Sequence, residues 1–113
     1  MSFGNSAMTQ QLMRAAPLVM QSLAYTSVGA SFVQAASFTQ PLVQLILYSS
    51  YNVNVLISFD GVNTFMEFPA GGTLILDEKT NGILLTSLYG VFVEELGSAP
   101  TSGNFRVSAI GQV

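Results

Sequence analysis

Apolar and polar residues alternate along much of the chain, and the pattern is clearest in NVNVLISF, residues 52–59. One face of an extended strand there is apolar, while the other carries Asn and Ser except at Leu56. Short segments of this kind recur between turns rich in Gly, Pro and Asn, at about the strand spacing of a sandwich or barrel. The predicted strands are residues 22–34, 37–50, 52–59, 63–68, 72–78, 82–88, 90–96 and 103–110.

These segments predict an all-β fold, an antiparallel β-sandwich that is jelly-roll-like or immunoglobulin-like, over residues 24–113. A chain of 113 residues is long enough for one such domain with a substantial core. The side chains on the apolar faces of the strands are expected to fill that core. They are Val53, Val55, Ile57, Phe59, Leu74, Leu76, Val91, Val93, Phe105 and Val107.

The turns between the strands carry the sharpest local signals. Asp-Gly between two alternating segments is typical of a tight hairpin, because the turn positions must tolerate positive φ. Asp60 and Gly61 are therefore predicted to shape the backbone, with the Asp60 carboxylate accepting hydrogen bonds from turn N–H groups. Further turns are predicted at residues 69–72 and 79–82, and their structural glycines are Gly71, Gly72 and Gly82.

Residues 1–35 differ in composition from the rest of the chain, and residues 1–23 are predicted to form an N-terminal arm or short helix. Within them SAMTQQLMRAAP, residues 6–17, predicts a short helix that Ser6 caps and Pro17 stops. A helix of about ten residues is marginal alone in water and needs a surface to pack on. Two interpretations remain, a loosely packed terminus or an arm that docks on a neighbouring subunit. The interface residues of such an arm would be Met8, Leu12, Met13, Leu18 and Met20.

Composition restricts the partners. Half of the residues are hydrophobic and only 8% are charged, against about 25% in an ordinary soluble protein. A surface so poor in charge indicates contact with other subunits. The net charge is −3, and the three cations, Arg14, Lys79 and Arg106, are too few for a basic footprint. Direct nucleic-acid binding and attachment to an anionic membrane are therefore not expected.

Candidate chemistry is sparse. The chain has neither Cys nor His, which excludes disulfides, Cys/His zinc sites and a Ser–His nucleophile. Asp60 and Glu67 could form a glycosidase-like carboxylate pair, and Asp60, Asp77 or Glu78 could contribute to a calcium site in neighbouring loops. The preferred interpretation gives these acids structural roles in turns and on solvated faces. No catalytic residue, cofactor, metal or small-molecule substrate is expected.

Two stretches carry a family resemblance. NVNVLISFDGVNTFMEFPAGGTLILDEKTNG, residues 52–82, and GVFVEELGSAPTSGNFRVSAI, residues 90–110, resemble small virion proteins of tailed bacteriophages. The shared pattern is an Asn-rich strand, the SFDG turn, a strand closing in Pro-Ala-Gly, and a later G-APTSG segment. The resemblance implies a structural β-sandwich subunit of the virion, present in many copies and without catalytic residues.

Three functions are compatible with the sequence. The favoured one is a capsid decoration or cement subunit that stabilises the shell as a homo-oligomer, in contact with other virion proteins such as the major capsid protein. The second is a head–tail connector, tail or fibre-base component. The third is a carbohydrate-binding module for host attachment, for which Tyr48, Tyr51 and Tyr89 would supply the aromatic contacts. The first two place the chain in the virion, after assembly in the host cytoplasm.

Overall fold

The computed structural model describes residues 15–112. Alternating apolar side chains favour strands with one buried face, and these residues form nine strands. The strands in chain order are β1 (Ala15–Pro17), β2 (Gln21–Ala24), β3 (Val33–Ser37), β4 (Leu42–Ser49), β5 (Val55–Ser58), β6 (Met66–Phe68), β7 (Thr73–Asp77), β8 (Gly90–Glu95) and β9 (Asn104–Gln112). One α-helix, α1 (Glu78–Ser87), connects β7 to β8. A single 3-10 turn, Tyr25–Ser27, follows β2.

The strands form two antiparallel sheets, which confirms the predicted all-β sandwich. One sheet has the order β1-β9-β4-β7, with β2 also paired to β9, and the other has the order β3-β8-β5-β6. From β2 to β9 the chain changes sheet at every connection except β5 to β6. This alternation is the jelly-roll arrangement rather than the immunoglobulin one, in which successive strands more often share a sheet.

The sandwich begins earlier than predicted. Residues 15–17 are a strand and not the end of a helix, because β1 pairs with the C-terminal half of β9, Ala15 opposite Gln112. The boundary at residue 24 is therefore wrong, since β1 and β2 both belong to the first sheet. Leu18 continues the ladder by donating its N–H to the Ala109 carbonyl oxygen at 2.9 Å. The rest of the predicted helix, residues 6–14, lies outside the described residues.

The strand predicted over residues 82–88 is wrong, because residues 82–87 lie in α1. The turn predicted over 79–82 is also wrong as a link between strands, and it coincides with a kink of α1 at Asn81, whose backbone is non-helical (φ −125°, ψ 26°). Asp77 starts this helix: its Oδ1 atom accepts the Thr80 N–H at 3.1 Å and so satisfies a donor of the first turn. Leu85 is buried, and Leu84 packs against the core from the same helix. Gly82 thus lies in α1 directly after the kink at Asn81, and not in a turn between two strands. The first predicted strand, 22–34, is also divided, into β2 and β3.

The core lies between the two sheets. Most of the side chains predicted to fill it are buried, Phe59 and Leu74 are partly buried against it, and Val53 is partly exposed. Tyr51 is a core residue that the alternation did not predict, with only 2% of its surface exposed. Its hydroxyl donates a 2.7 Å hydrogen bond to the Leu23 carbonyl oxygen, and its burial raises the pKa of Tyr51 to about 12. No helix in residues 15–112 is long and apolar enough to cross a bilayer.

Candidate functional site

The turn after β5 is held by one carboxylate. Asp60 Oδ1 accepts hydrogen bonds from the Ser58 hydroxyl at 2.9 Å, the Val62 N–H at 2.8 Å and the Asn63 N–H at 2.7 Å. Its Oδ2 atom accepts from the Asn63 side-chain amide at 2.8 Å. Asp60 therefore makes the local contacts expected of a turn aspartate, and both of its oxygens are engaged.

The same turn folds back over the second sheet. Ser58 is fully buried, and its hydroxyl oxygen accepts the N–H groups of Asp60 at 3.2 Å and Gly61 at 2.9 Å. Gly61 has φ of 78°, which glycine adopts without strain. A Cβ atom at this position would lie 3.3 Å from the Phe92 ring, so the backbone of the turn packs directly on that ring. The turn is thus fixed both by hydrogen bonds and by packing.

These hydrogen bonds make the turn sensitive to acid. The bonds from Asn63, and then those from Val62 and Ser58, hold the pKa of the Asp60 carboxyl well below its usual range. A lowered pKa in the folded state stabilises the protein above the unfolded pKa of about 4, and this contribution is lost as the pH falls. We therefore expect the free energy of unfolding to decrease below about pH 4. Urea unfolding at neutral and acidic pH should show a smaller decrease for Asp60→Asn, and an unchanged decrease would contradict this assignment.

Three apolar side chains surround the turn, and we call them the Asp60 patch: Val62, Phe65 and Tyr89. They are 78%, 52% and 53% exposed, respectively. Phe65 packs on Phe59 with ring centroids 4.8 Å apart, and Tyr89 packs on Phe92 at 6.0 Å. The Tyr89 hydroxyl donates to the Asp60 carbonyl oxygen at 3.0 Å, which ties the patch to the turn. The patch is therefore an apolar surface on a fixed support.

The strand register explains why these residues lie together. Ser58 is opposite Phe92 on β8, and Ile57 is opposite Met66 on β6. Continuing that register places Phe65 beside Ser58, where its N–H donates to the Ile57 carbonyl oxygen at 2.8 Å. The patch was not predicted, because Val62 and Phe65 lie between β5 and β6 whereas Tyr89 precedes β8, and only the sheet brings them together. Its one local signal is Val62, an apolar residue in an otherwise polar turn.

Two of the other acids, Glu67 and Asp77, have hydrogen-bond partners of their own. Glu67 accepts a 2.8 Å hydrogen bond from the Asn54 side-chain amide, whose oxygen accepts the Ala70 N–H at 2.9 Å. Asp77 is occupied as the cap of α1, where it accepts both the N–H and the hydroxyl of Thr80. Residues 15–112 hold no group of three or more acidic side chains placed to bind a metal ion. Asp60, Glu67 and Asp77 are thus each engaged in hydrogen bonds within the chain.

The remaining glycines with predicted structural roles form the turn between β6 and β7. The Gly72 N–H donates to the Pro69 carbonyl oxygen at 3.0 Å, and Gly71 at the third position has φ of 73°. This combination is typical of a type II turn. A Cβ atom at Gly72 would lie 2.6 Å from the Pro69 ring, whereas one at Gly71 would meet no atom within 4 Å. Gly72 therefore allows a close approach, and Gly71 supplies the left-handed backbone.

The predicted arm is described only in part. Met8, Leu12 and Met13 lie outside the described residues. Leu18 packs against the core of its own sandwich, so it is not free to serve chiefly as a contact with another chain. Met20 is 53% exposed between β1 and β2. Of the five interface residues proposed from the sequence, Met20 is thus the one that the structure places at the surface.

Comparisons with known proteins bear on the fold alone. No family model matches the chain, and no curated protein matches it. The fold is similar to that of a solved chain from Bacillus endospore appendages, which are described as a novel family of disulfide-linked pili. The two chains share 12% sequence identity with a TM-score of 0.54, over 88% of this chain and 90% of that chain. The similarity therefore concerns the overall fold of the sandwich.

Proposed function

We propose that the chain is a structural virion subunit of a tailed phage, a capsid decoration or cement protein that binds other subunits through the Asp60 patch. The observation that carries the proposal is the exposure of Val62, Phe65 and Tyr89 on a turn fixed by hydrogen bonds. The SFDG residues of this turn belong to the stretch that resembles phage virion proteins. The low content of charged residues supports the same assignment.

A fixed apolar turn is well suited to binding a protein partner. Ordering a flexible loop on association costs conformational entropy, and a preorganised loop avoids that cost. Aromatic side chains are enriched at the centres of protein interfaces, where they bury large areas. The Tyr89 hydroxyl is already bonded within the chain, so burial of this residue by a partner would leave no unpaired donor. The patch could therefore be covered at little polar cost.

A subunit of a filamentous surface appendage is a second candidate, and the similarity in fold to the appendage protein favours it. Such an assembly would differ from the disulfide-linked pili in one respect. This chain has no Cys, so its own copies would be held by noncovalent contacts. The connector, tail and fibre-base alternatives use the same kind of contact. Copy number per particle distinguishes a shell protein from a ring or fibre protein.

The proposal is tested with a charge placed on the patch. Val62→Asp should weaken attachment of the chain to virions by about tenfold or more, because a carboxylate would be buried in an apolar contact. Ile83→Asp is the matched control, since Ile83 is a 90% exposed aliphatic residue on α1. Occupancy on purified virions is measured by quantitative gel staining. Equal occupancy for both variants would contradict the role of the patch, and absence of the parent chain from virions would overturn the virion assignment.

The same assay addresses the N-terminal arm, for which the structure sets the deletion point. Removing residues 1–20 would delete β1 and Leu18 and would damage the sheet itself. Removing residues 1–14 leaves the nine strands of residues 15–112 intact and takes away Met8, Leu12 and Met13. If these residues dock on a neighbouring subunit, occupancy of the shortened chain should fall while its unfolding curve stays unchanged. Unchanged occupancy would exclude the arm as a contact.

A further inference from the structure

The edge strands β3 and β7, one in each sheet, differ in how their outward backbone groups are placed. On one side, Gln21 of β2 bridges the sheets: its side-chain nitrogen donates to the Ser37 carbonyl oxygen at 2.9 Å, and its side-chain oxygen accepts the Ser37 N–H at 3.0 Å. This amide satisfies the backbone of β3 as a neighbouring strand would. On the other side, β7 has β4 as a neighbour on one edge and no strand of residues 15–112 on the other. The first sheet is therefore open along β7.

The ladder shows which backbone groups of β7 face outward. The Ser49 N–H donates to the Gly72 carbonyl oxygen at 3.0 Å, and the register continues through Leu47 opposite Leu74. In an antiparallel ladder, hydrogen-bonded pairs alternate with non-hydrogen-bonded pairs. The groups of Leu74 therefore face β4, and the N–H and C=O groups of Thr73 and Ile75 face away from it. No hydrogen bond within residues 15–112 reaches these outward groups.

The side chains of this edge do not protect it. Edge strands are usually guarded by Lys, Pro or a bulge, because unpaired N–H and C=O groups are a template for another strand. The sequence of β7 is TLILD, without Lys or Pro, and its pairing with β4 has no register shift. Ile75 at its centre is 58% exposed. An apolar, regular and unpaired edge of this kind is a site for strand pairing.

We propose that β7 pairs in antiparallel fashion with β7 of a second copy of the chain, about a two-fold axis at Ile75. The proposal rests on the proposed function as a subunit present in many copies. In this register the outward groups of Ile75 bond those of Ile75 in the second copy, and Thr73 lies opposite Asp77 of that copy. The one charge on β7 thus faces a hydroxyl group and not another carboxylate. Pairing would join the two first sheets into one continuous sheet.

The proposed register is tested by cross-linking. The natural chain has no Cys, so Ile75→Cys introduces a single thiol that faces its equivalent about 5.5 Å away across the two-fold axis. A short bifunctional thiol reagent should link these chains into dimers. Thr73→Cys is the register control, because its two equivalents would be separated by about 14 Å along the strands. Ile83→Cys is the exposure control.

A second variant tests the same contact without cross-linking. Ile75→Lys puts two like charges opposite each other and should raise the dissociation constant of the dimer by about tenfold or more. Ile83→Lys should leave it within about twofold, since surface substitutions away from a contact have small effects. Sedimentation analysis of the purified chains gives both constants. Circular dichroism checks that each variant keeps its sheet content.

The outcomes separate this inference from the proposed function. If Ile75→Cys is the only one of the three Cys variants that forms linked dimers, the pairing is supported even if the chain is absent from virions. No more linkage with Ile75→Cys than with Ile83→Cys, at the highest soluble concentration, overturns it. Linkage that appears only after residues 1–14 are deleted also overturns it, because the N-terminal segment would then occupy the edge. Equal linkage of Thr73→Cys and Ile75→Cys would overturn the register.

Discussion

Gly103→Ala is expected to destabilise the folded chain by more than about 4 kcal/mol, among the largest effects of a single substitution. Gly103 has φ of 97°, where an L-residue is strained. A Cβ atom there would overlap the Ser50 carbonyl oxygen and would lie 2.8 Å from the Tyr51 nitrogen. These are backbone atoms, so no rotamer change can relieve the overlap. Urea unfolding of the variant at neutral pH measures the loss.

The close approach at Gly103 has a clear cause. The Ser50 hydroxyl accepts the Asn104 N–H at 2.9 Å, and the Ser50 N–H donates to the Asn104 carbonyl oxygen at 2.8 Å. These bonds pull the end of β4 against the start of β9. Separation of these two segments by even a few tenths of an ångström would weaken the hydrogen bonds and the Tyr51 packing beside them.

Gly71→Ala separates the two contributions at Gly103. Gly71 also has positive φ, 73°, but a Cβ there would meet nothing within 4 Å. It should therefore show the backbone strain alone, about 1 kcal/mol. Equal losses for the two variants would mean that the overlap at Gly103 is relieved by backbone movement, and the contact between β4 and β9 would then be less rigid than the structure indicates.

The parts of the fold that follow from local sequence could be predicted. Alternation located the strands from β4 to β9, since a half-buried strand imposes a period of two. The Asp60 turn was also accessible, because each hydrogen bond to the Asp60 carboxylate spans at most three residues. Short-range contacts of this kind can be inferred from neighbouring residues without knowledge of the tertiary structure.

The failures have equally specific causes. In α1 the apolar run from Ile83 to Leu85 suits a strand as well as a helix, and the capping hydrogen bond from Thr80 to Asp77 favours the helix. In β1 and β2 the pairing partner is β9, whose paired residues lie eighty or more positions away along the chain. No local pattern contains that information. Pro17, taken as a helix stop, is instead an edge-strand residue, a position where proline is tolerated.

The two proposed contact surfaces could not be predicted from the sequence for the same reason. The Asp60 patch depends on the pairing of β5 with β6 and with β8, which brings Val62, Phe65 and Tyr89 together. The open edge depends on the position of β7 in its sheet. Composition indicated that apolar surface would be covered by other chains, but it could not say where. The structure supplies two candidate places, one for a different partner and one for a second copy.

Phe105→Ala is expected to cost about 3 to 5 kcal/mol, because it leaves a large cavity at the centre of the core. Phe105 is fully buried on β9, and its ring lies 5.2 Å from that of Phe68 and 6.3 Å from that of Tyr51. It therefore joins both sheets to the loop after β4. Phe65→Ala is the matched control: at 52% exposure, and packed on Phe59, it should lose about 1 to 2 kcal/mol. Thermal and urea unfolding of the two variants measure the difference. If both variants lose the same amount, Phe105 does not hold the position in the core that its burial indicates. If they differ as expected, Phe65 can be substituted in tests of the Asp60 patch. A loss of attachment would then reflect the changed surface, because the fold would be intact.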